Sequence, residues 1–411
     1  MRKYPFICLI IVTIISTLPH GGQAQEARLI DQYLAVAEQN NPHLKALYYE
    51  YLAAREDVPQ VGTLPDPQVS AASGMLVPGG EMPTGTQRTR LSVSQMFPWF
   101  GTLNAQERAA AERALAKRQQ WEDAALALSK QVRVVYNDLY YLRAATRLTQ
   151  ENLTLLASFK ELARVNFEGG RAGFADVLRV EIEEEALRNK LQYLEESQTP
   201  LVAQFEQLLN QPLSESMTWP DSLETEALSL SRDSIFQTIL TSSPQLLALQ
   251  HQVQAAQEQV TVARKMGLPS FMLGGSYVNV VPGVGMEMLE AGISLPLYRK
   301  KYQAMQKQAQ LQQEAARRVR ESSADQLLTD LEALYRDYQD AQRRVKLNRR
   351  LADLAERTLG LLQTEFTSGE AGFEELIRIE QQLLEYQLNA VQAQVDQNNH
   401  VYSIRYLMGM P

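Results

Sequence analysis

Residues 167–181 read FEGGRAGFADVLRVE, and residues 366–380, which lie 199 positions later, read FTSGEAGFEELIRIE. Phe, Gly, the Ala-Gly-Phe triplet, Arg and the final Glu coincide, and Asp176/Glu375, Val177/Leu376, Leu178/Ile377 and Val180/Ile379 differ conservatively. The same spacing relates Tyr136 and Asp138 to Tyr335 and Asp337, and the ending 208–212 to the ending 407–411. One spacing held at three separate places is the signature of a duplicated unit. Each copy of the motif lies between two long stretches of heptad pattern, so each predicts a tight turn joining two antiparallel helices.

The pattern around the turns repeats as well. Helical periodicity over 27–61, broken by Asn41-Pro42, gives way to two short runs at 68–77 and 88–97 with Pro/Gly turns between them. Arg88 to Ser94 alternates polar and less polar residues, as a strand facing two environments must. A long helix follows from Gly101 to about Glu168, its seam carried by Trp121, Leu128, Val132, Val135, Leu139 and Leu142. Gly169 and Gly170 end it with residues that tolerate a left-handed cap, and a return helix runs to about 210. The second copy has strands at about 270–296, a long helix at about 299–367, a turn at 368–372 and a return helix at 373–408. The expected division is a signal peptide at 1–24, a first repeat at 25–212, a linker or equatorial segment at 213–233 and a second repeat at 234–411.

The first 24 residues carry a basic start (Arg2, Lys3), an apolar run from Phe6 to Leu18 and the small-residue site Gly22-Gln23-Ala24. This is the layout of an export signal, and the apolar run is shorter than the roughly 20 residues of a spanning helix. The single cysteine, Cys8, falls inside it, so the exported chain has no thiol for a disulfide or a Cys-based metal site. No long apolar run follows, so membrane insertion requires strands. Four strands cannot close a barrel, for which about eight is the minimum, so strands in a membrane would have to be shared among several copies. The net charge of −8 without a basic block argues against nucleic acid as a partner.

No phosphate loop, nucleophile constellation or metal motif is present, so neither an enzyme nor a cofactor is expected. His43, His251 and His400 are scattered, and Met75, Met82, Met286 and Met288 lack a repeated spacing with histidine, although thioether is a soft metal ligand. The acidic run Glu183-Glu184-Glu185 fits a solvated helix face. Asp176 and Glu375 at helix starts fit the helix dipole equally simply. Phe97, Trp99 and Phe100 form an aromatic cluster at a strand end, which suits a membrane-interface girdle or a lid over a soluble core.

With the duplicated plan and the turn motif together, the chain resembles the outer-membrane efflux proteins typified by TolC, over essentially its whole exported length. Leu64-Pro65-Asp66-Pro67 and the segment 94–101, SQMFPWFG, resemble the branch that serves heavy-metal resistance pumps. The resemblance implies a mainly α fold with a membrane β-barrel. Long antiparallel helical hairpins form a periplasmic α-barrel, and four strands per protomer complete a 12-stranded barrel in a homotrimer.

It further implies a non-catalytic exit duct in outer-membrane lipid, extending into the periplasm. Its partners are a periplasmic adaptor (membrane fusion) protein and an inner-membrane transporter of RND or ABC type. The tip turns with Gly169, Gly170, Arg171, Gly173, Gly369, Glu370 and Gly372 are the implied adaptor-docking positions. Asp176 and Glu375 match an acidic gate position; in the second repeat Arg378 stands where some relatives carry a further acid, and Arg179 is its equivalent in the first repeat. A salt-bridged constriction is therefore expected in place of a purely anionic one. A periplasmic coiled-coil adaptor or scaffold without membrane insertion is the rival, but it would need one hairpin and more strands.

Overall fold

The computed structural model describes residues 23–75, 87–171, 173–213, 222–281, 284–368 and 372–411. The expected signal segment up to Gly22, the turns at 78–80 and 83–85, Met82, Gly369 and Glu370 lie outside the described residues. In chain order the elements are α1 (Gln23–Asn40), α2 (Pro42–Gly62), β1 (Gln68–Met75), β2 (Gln87–Phe97), α3 (Thr102–Glu168) and α4 (Phe174–Leu209). They are followed by α5 (Arg232–Ser242), α6 (Pro244–Met266), β3 (Ser270–Val281), β4 (Val284–Ser294), α7 (Arg299–Ser368) and α8 (Phe373–Leu407). At the standard rise α3, with 67 residues, is about 100 Å long. Among the described residues no helix is long and apolar enough to cross a membrane.

Local chemistry sets the breaks between elements. Asn41 caps α2 by accepting a hydrogen bond from Leu44 N–H at 3.1 Å, and Pro42 occupies the first turn, where its missing N–H costs nothing. The return helices end alike. Asn210 and Gly409, which are 199 apart, both take left-handed backbone (φ 48° and 75°) in Schellman caps, with Gln211 N–H donating to Glu206 and Met410 N–H to Arg405.

The four strands form one antiparallel sheet in the order β1-β2-β3-β4. Its middle pair, β2 with β3, joins the two repeats, with Arg90 opposite Val278 and Phe97 opposite Phe271. This register sorts the side chains by face. Ser70, Arg90, Ser92, Ser94, Ser276 and Glu290 share one face, where Ser70 and Ser92 hydroxyls meet at 2.8 Å and Glu290 takes both Arg90 and Ser276 as partners. Val69, Leu91, Val93, Leu273, Tyr277, Leu289 and Ile293 share the other, and all are exposed.

Among the described residues the helices bury three large apolar clusters, besides a small one of Val260, Ala263 and Ala309 between α6 and α7. Leu128, Val132, Tyr136 and Phe205 pack with α1 and α2 in the first repeat. Ile235, Ile239, Leu331 and Ile404 do the same in the second. The third cluster belongs to both repeats: Leu156 and Phe159 of α3, Val180 and Leu187 of α4, Leu359 and Phe366 of α7, and Leu376 and Leu383 of α8.

The segment read as a linker is seated on α8 by side chains. Asn398 donates to Glu224 C=O at 2.7 Å and accepts from Glu226 N–H at 2.8 Å. Gln394 donates to Leu223 C=O and Gln397 to Glu226 C=O, while Arg405 pairs with the Glu226 carboxylate at 2.7 Å. Gln394 stands about one helical turn before the adjacent Gln397 and Asn398, so α8 reads an irregular main chain as a neighbouring strand would. Removing one such buried amide orphans two main-chain groups, so Asn398→Ala should cost about 2 kcal/mol. Chemical unfolding of the purified protein measures this, with Gln392→Ala, on another face of α8, as the control.

Candidate functional site

The two helix–turn–helix tips carry most of the residues singled out in the sequence. At the first tip α3 ends in a Schellman motif, with Arg171 N–H donating to Asn166 C=O at 2.8 Å and Gly170 N–H to Phe167 C=O at 2.9 Å. Gly170 sits at φ 70°, in the left-handed region that glycine enters without strain. Gly169 is the helix cap itself, and Gly173 and Gly372 start the return helices in extended conformation.

The same ring pair closes each tip. Phe167 and Phe174 lie 5.4 Å apart, and their counterparts Phe366 and Phe373 lie 5.1 Å apart. Their surroundings differ. Phe167 and Phe174 are exposed at 43% and 53%, whereas Phe366 and Phe373 are buried at 7% and 3%. The first hairpin is instead laced by Lys160, which lies 3.1 Å from Glu181 and 3.2 Å from Glu184 of α4, while Arg164 pairs with Glu161 and Glu168 along α3 itself. Those neighbouring carboxylates hold the Arg164 guanidinium above its usual range.

The four charged residues expected at the constriction form two local pairs, Asp176 with Arg179 at 2.9 Å and Glu375 with Arg378 at 2.9 Å. Each pair spans one helical turn. Asp176 also accepts from Gly173 N–H at 3.3 Å, which satisfies a donor at the start of α4. Arg179 reaches across to Glu374 at 3.6 Å and so ties the two hairpins together. Sequence reasoning missed Glu374, because its counterpart 199 residues earlier is Ala175. These three carboxylates and two guanidiniums leave one net negative charge per chain (−3 + 2 = −1).

The aromatic cluster lies at the other end of the long helices, where sheet meets helix. Trp99 stacks on Phe271 at 5.9 Å, and Phe100 lies 6.0 Å from the same ring, itself largely exposed. Phe97 pairs directly with Phe271 across β2 and β3. Gly101, at φ 74°, turns the chain from the sheet into α3. Met286 and Met288 are two apart on β4, on the face that carries Ser276 and Glu290. The described residues hold no group of three His, Cys, Asp or Glu side chains able to bind a metal ion.

A methyl group at Gly170 meets no atom within 4 Å, so its cost is conformational alone. Gly170→Ala should therefore destabilise the first hairpin by about 1–2 kcal/mol. Gly173→Ala, at φ −85° and with only an ordinary 3.9 Å contact to the Ala175 nitrogen, should change stability by less than about 0.5 kcal/mol. Thermal unfolding of the two variants side by side measures the difference.

Comparison with known proteins agrees with this architecture. The model of the outer membrane efflux protein family matches residues 34–211 and again 235–410, one match in each repeat. No curated protein sequence matches the chain. Among solved structures, the outer-membrane channel OprN superimposes with a TM-score of 0.81 at 18% identity, covering 93% of this chain and 90% of that one. CusC, described in terms of folding and transmembrane channel formation, gives 0.80 at 17% identity, with 93% and 92% covered. The outer membrane protein VceC from Vibrio cholerae gives 0.78 at 18% identity, with 93% and 96% covered. With both repeats matched over most of their length, the chain belongs to the outer membrane efflux protein family.

Proposed function

We propose that this protein is the exit duct of a tripartite efflux system. In this reading three copies pool their strands into a 12-stranded barrel in the outer membrane and their long helices into a tube across the periplasm. The observation that carries it is the sheet: four strands, two unpaired edges, one face carrying Arg90, Ser92 and Glu290 beside several methionines, and one exposed, mainly apolar face. Unpaired edge groups in lipid cost several kcal/mol each, and four strands are too few to close on themselves. Copies joined edge to edge remove both problems, with Ser92 and Glu290 facing water and Leu91 and Leu289 facing lipid.

The helices support the same assembly. Leu347, Leu354 and Leu361 recur every seven residues on α7 and are exposed, as are Leu178, Ile182 and Tyr193 on α4. Heptad-spaced leucines left in solvent are the half-seam that a neighbouring helix completes. The Phe97, Trp99 and Phe100 cluster at the base of the sheet then lies at the level of a lipid–water interface.

At the far end, the tip turns are the docking positions for a periplasmic adaptor, and the Asp176–Arg179 and Glu375–Arg378 pairs line the closed mouth. An inner-membrane transporter of RND or ABC type supplies the energy. The resemblance of 64–67 and 94–101 to the heavy-metal branch extends the reading to metal cations as cargo.

The two faces of the sheet give the decisive test. Leu289 is 97% exposed at the middle of β4, so Leu289→Arg places a charge at the bilayer midplane and costs about 2–4 kcal/mol per chain. It should abolish SDS-resistant trimers in the outer-membrane fraction. Ser92→Arg, at the middle of β2 on the polar face, should assemble normally and lower single-channel conductance. Equal behaviour of the two variants, or a soluble periplasmic monomer for the unaltered protein, contradicts the duct.

The tip charges give a second test. Asp176→Ala combined with Glu375→Ala changes the balance of the five groups from −1 to +1, frees Arg378 and leaves Arg179 only its longer contact with Glu374. Planar-bilayer recording should show higher conductance and a reversal potential moved toward anions. Unchanged conductance would remove these residues from the gate.

A further inference from the structure

The duplication exposes a charge that has lost its partner. In the first hairpin Lys160, Glu181 and Glu184 form one ion-paired cluster. The positions 199 residues on are Leu359, Glu380 and Leu383. The lysine and one glutamate have become leucines of the shared apolar core, and one carboxyl group remains between them. Glu380 is 0% exposed, and neither of its carboxyl oxygens has a hydrogen-bond partner. It continues the buried stripe of α8 that runs through Phe373, Leu376, Ile377, Leu383 and Leu384.

The charges near it do not relieve it. From α4 the facing group is Glu183, which accepts a hydrogen bond from Gln381 at 2.6 Å and adds a second negative charge. On α3, Lys160 is held by Glu181 and Glu184, and the core members Leu156, Phe159 and Ala163 are apolar. On α7 the core members Ala355, Leu359, Leu362 and Phe366 are apolar as well. On α8 itself Arg378 is paired with Glu375. Burial first, and Glu183 second, push the Glu380 carboxyl up to about 8.

We propose that Glu380 is a proton-sensitive latch on the second tip hairpin. Protonated, it lets α8 pack against α3 and α7; ionised, it draws water in and loosens the hairpin at the end where the duct opens. This rests on the reading of the tips as the closed mouth. Only a solvated or paired carboxylate is stable, and the packed core supplies neither water nor a cation.

The direction of the effect follows from proton counting. The packed hairpin keeps the proton up to about pH 8, whereas a hydrated one releases it near the ordinary value of 4.5. Between these values the packed form binds more protons, so its advantage is full at low pH. That advantage falls about tenfold per pH unit as pH rises through the window and levels off above it.

Hydrogen exchange of the full-length protein in detergent or nanodiscs, corrected for intrinsic rates, tests this directly. Between pH 6 and pH 8, protection across 373–388 should fall about fiftyfold, while 174–189 in the ion-paired first hairpin stays level. Glu380→Gln should remove the pH dependence by keeping a neutral group of the same shape. Leu359→Lys should remove it by rebuilding the pair that Lys160 makes in the first hairpin.

Equal protection at both pH values, or the same fall in Glu380→Gln, overturns the latch. Conductance in planar bilayers separates the two ideas. A protein that forms pores but shows no pH-dependent exchange at 373–388 overturns the latch and keeps the duct. One that shows this exchange and conducts nothing overturns the duct and keeps the packing change.

Discussion

The apolar seam shared by α3, α4, α7 and α8 is the interaction on which the rest of the molecule depends. Each repeat has its own core beside its short helices, but only this third cluster commits both long hairpins to one body. The sheet repeats the arrangement at the other end, since β2 and β3 come from different repeats and pair directly. The two halves are thus joined by packing toward the tips, by α6 lying against α3, where Arg108 meets Glu258 and His251 meets Glu112, and by main-chain hydrogen bonds in the sheet. Half a molecule would leave a bare helix face and a bare strand edge.

Duplication made the two hairpins similar, and their environments made them different. The first tip exposes its aromatic pair and relies on ion pairs around Lys160 and Arg164, which are individually weak in water. The second buries the equivalent rings and replaces the lysine with Leu359. Both tips share the apolar seam, but the first adds charges that salt screens, where the second adds apolar area that salt does not weaken. In the proposed trimer, a ring of alternating hairpins would have soft and firm segments in alternation, with Glu380 in a firm one.

Much of the architecture was legible because its signals are local. The repeated turn motif, the heptad seams and the alternation of Arg88 to Ser94 each reflect a short-range rule, and mainly helical hairpins with four strands follow from them. The pairing of β2 with β3 was not legible, since nothing in either strand names its partner across the repeats. The seat of residues 222–228 was hidden for a similar reason: the segment offers backbone, and the recognition lies in Gln394, Gln397 and Asn398 of α8. At the tips, the pairing of Asp176 with Arg179 follows from one-turn spacing, but the reach of Arg179 to Glu374 needed the hairpins in three dimensions. Glu380 had left a trace. It matches Glu181 across the repeat while Lys160 faces Leu359, and a partner lost between copies is visible once the copies are aligned.

The amide ladder along α8 has a consequence for how this chain can change over time. Gln394, Gln397 and Asn398 grip carbonyl and N–H groups that every residue other than proline supplies. The gripped segment is therefore free to drift in side chain at most positions, and insertions on either side need not disturb its seat. The constraint falls on three amides elsewhere in the chain. Two relatives can differ throughout this belt and still wear it in the same place.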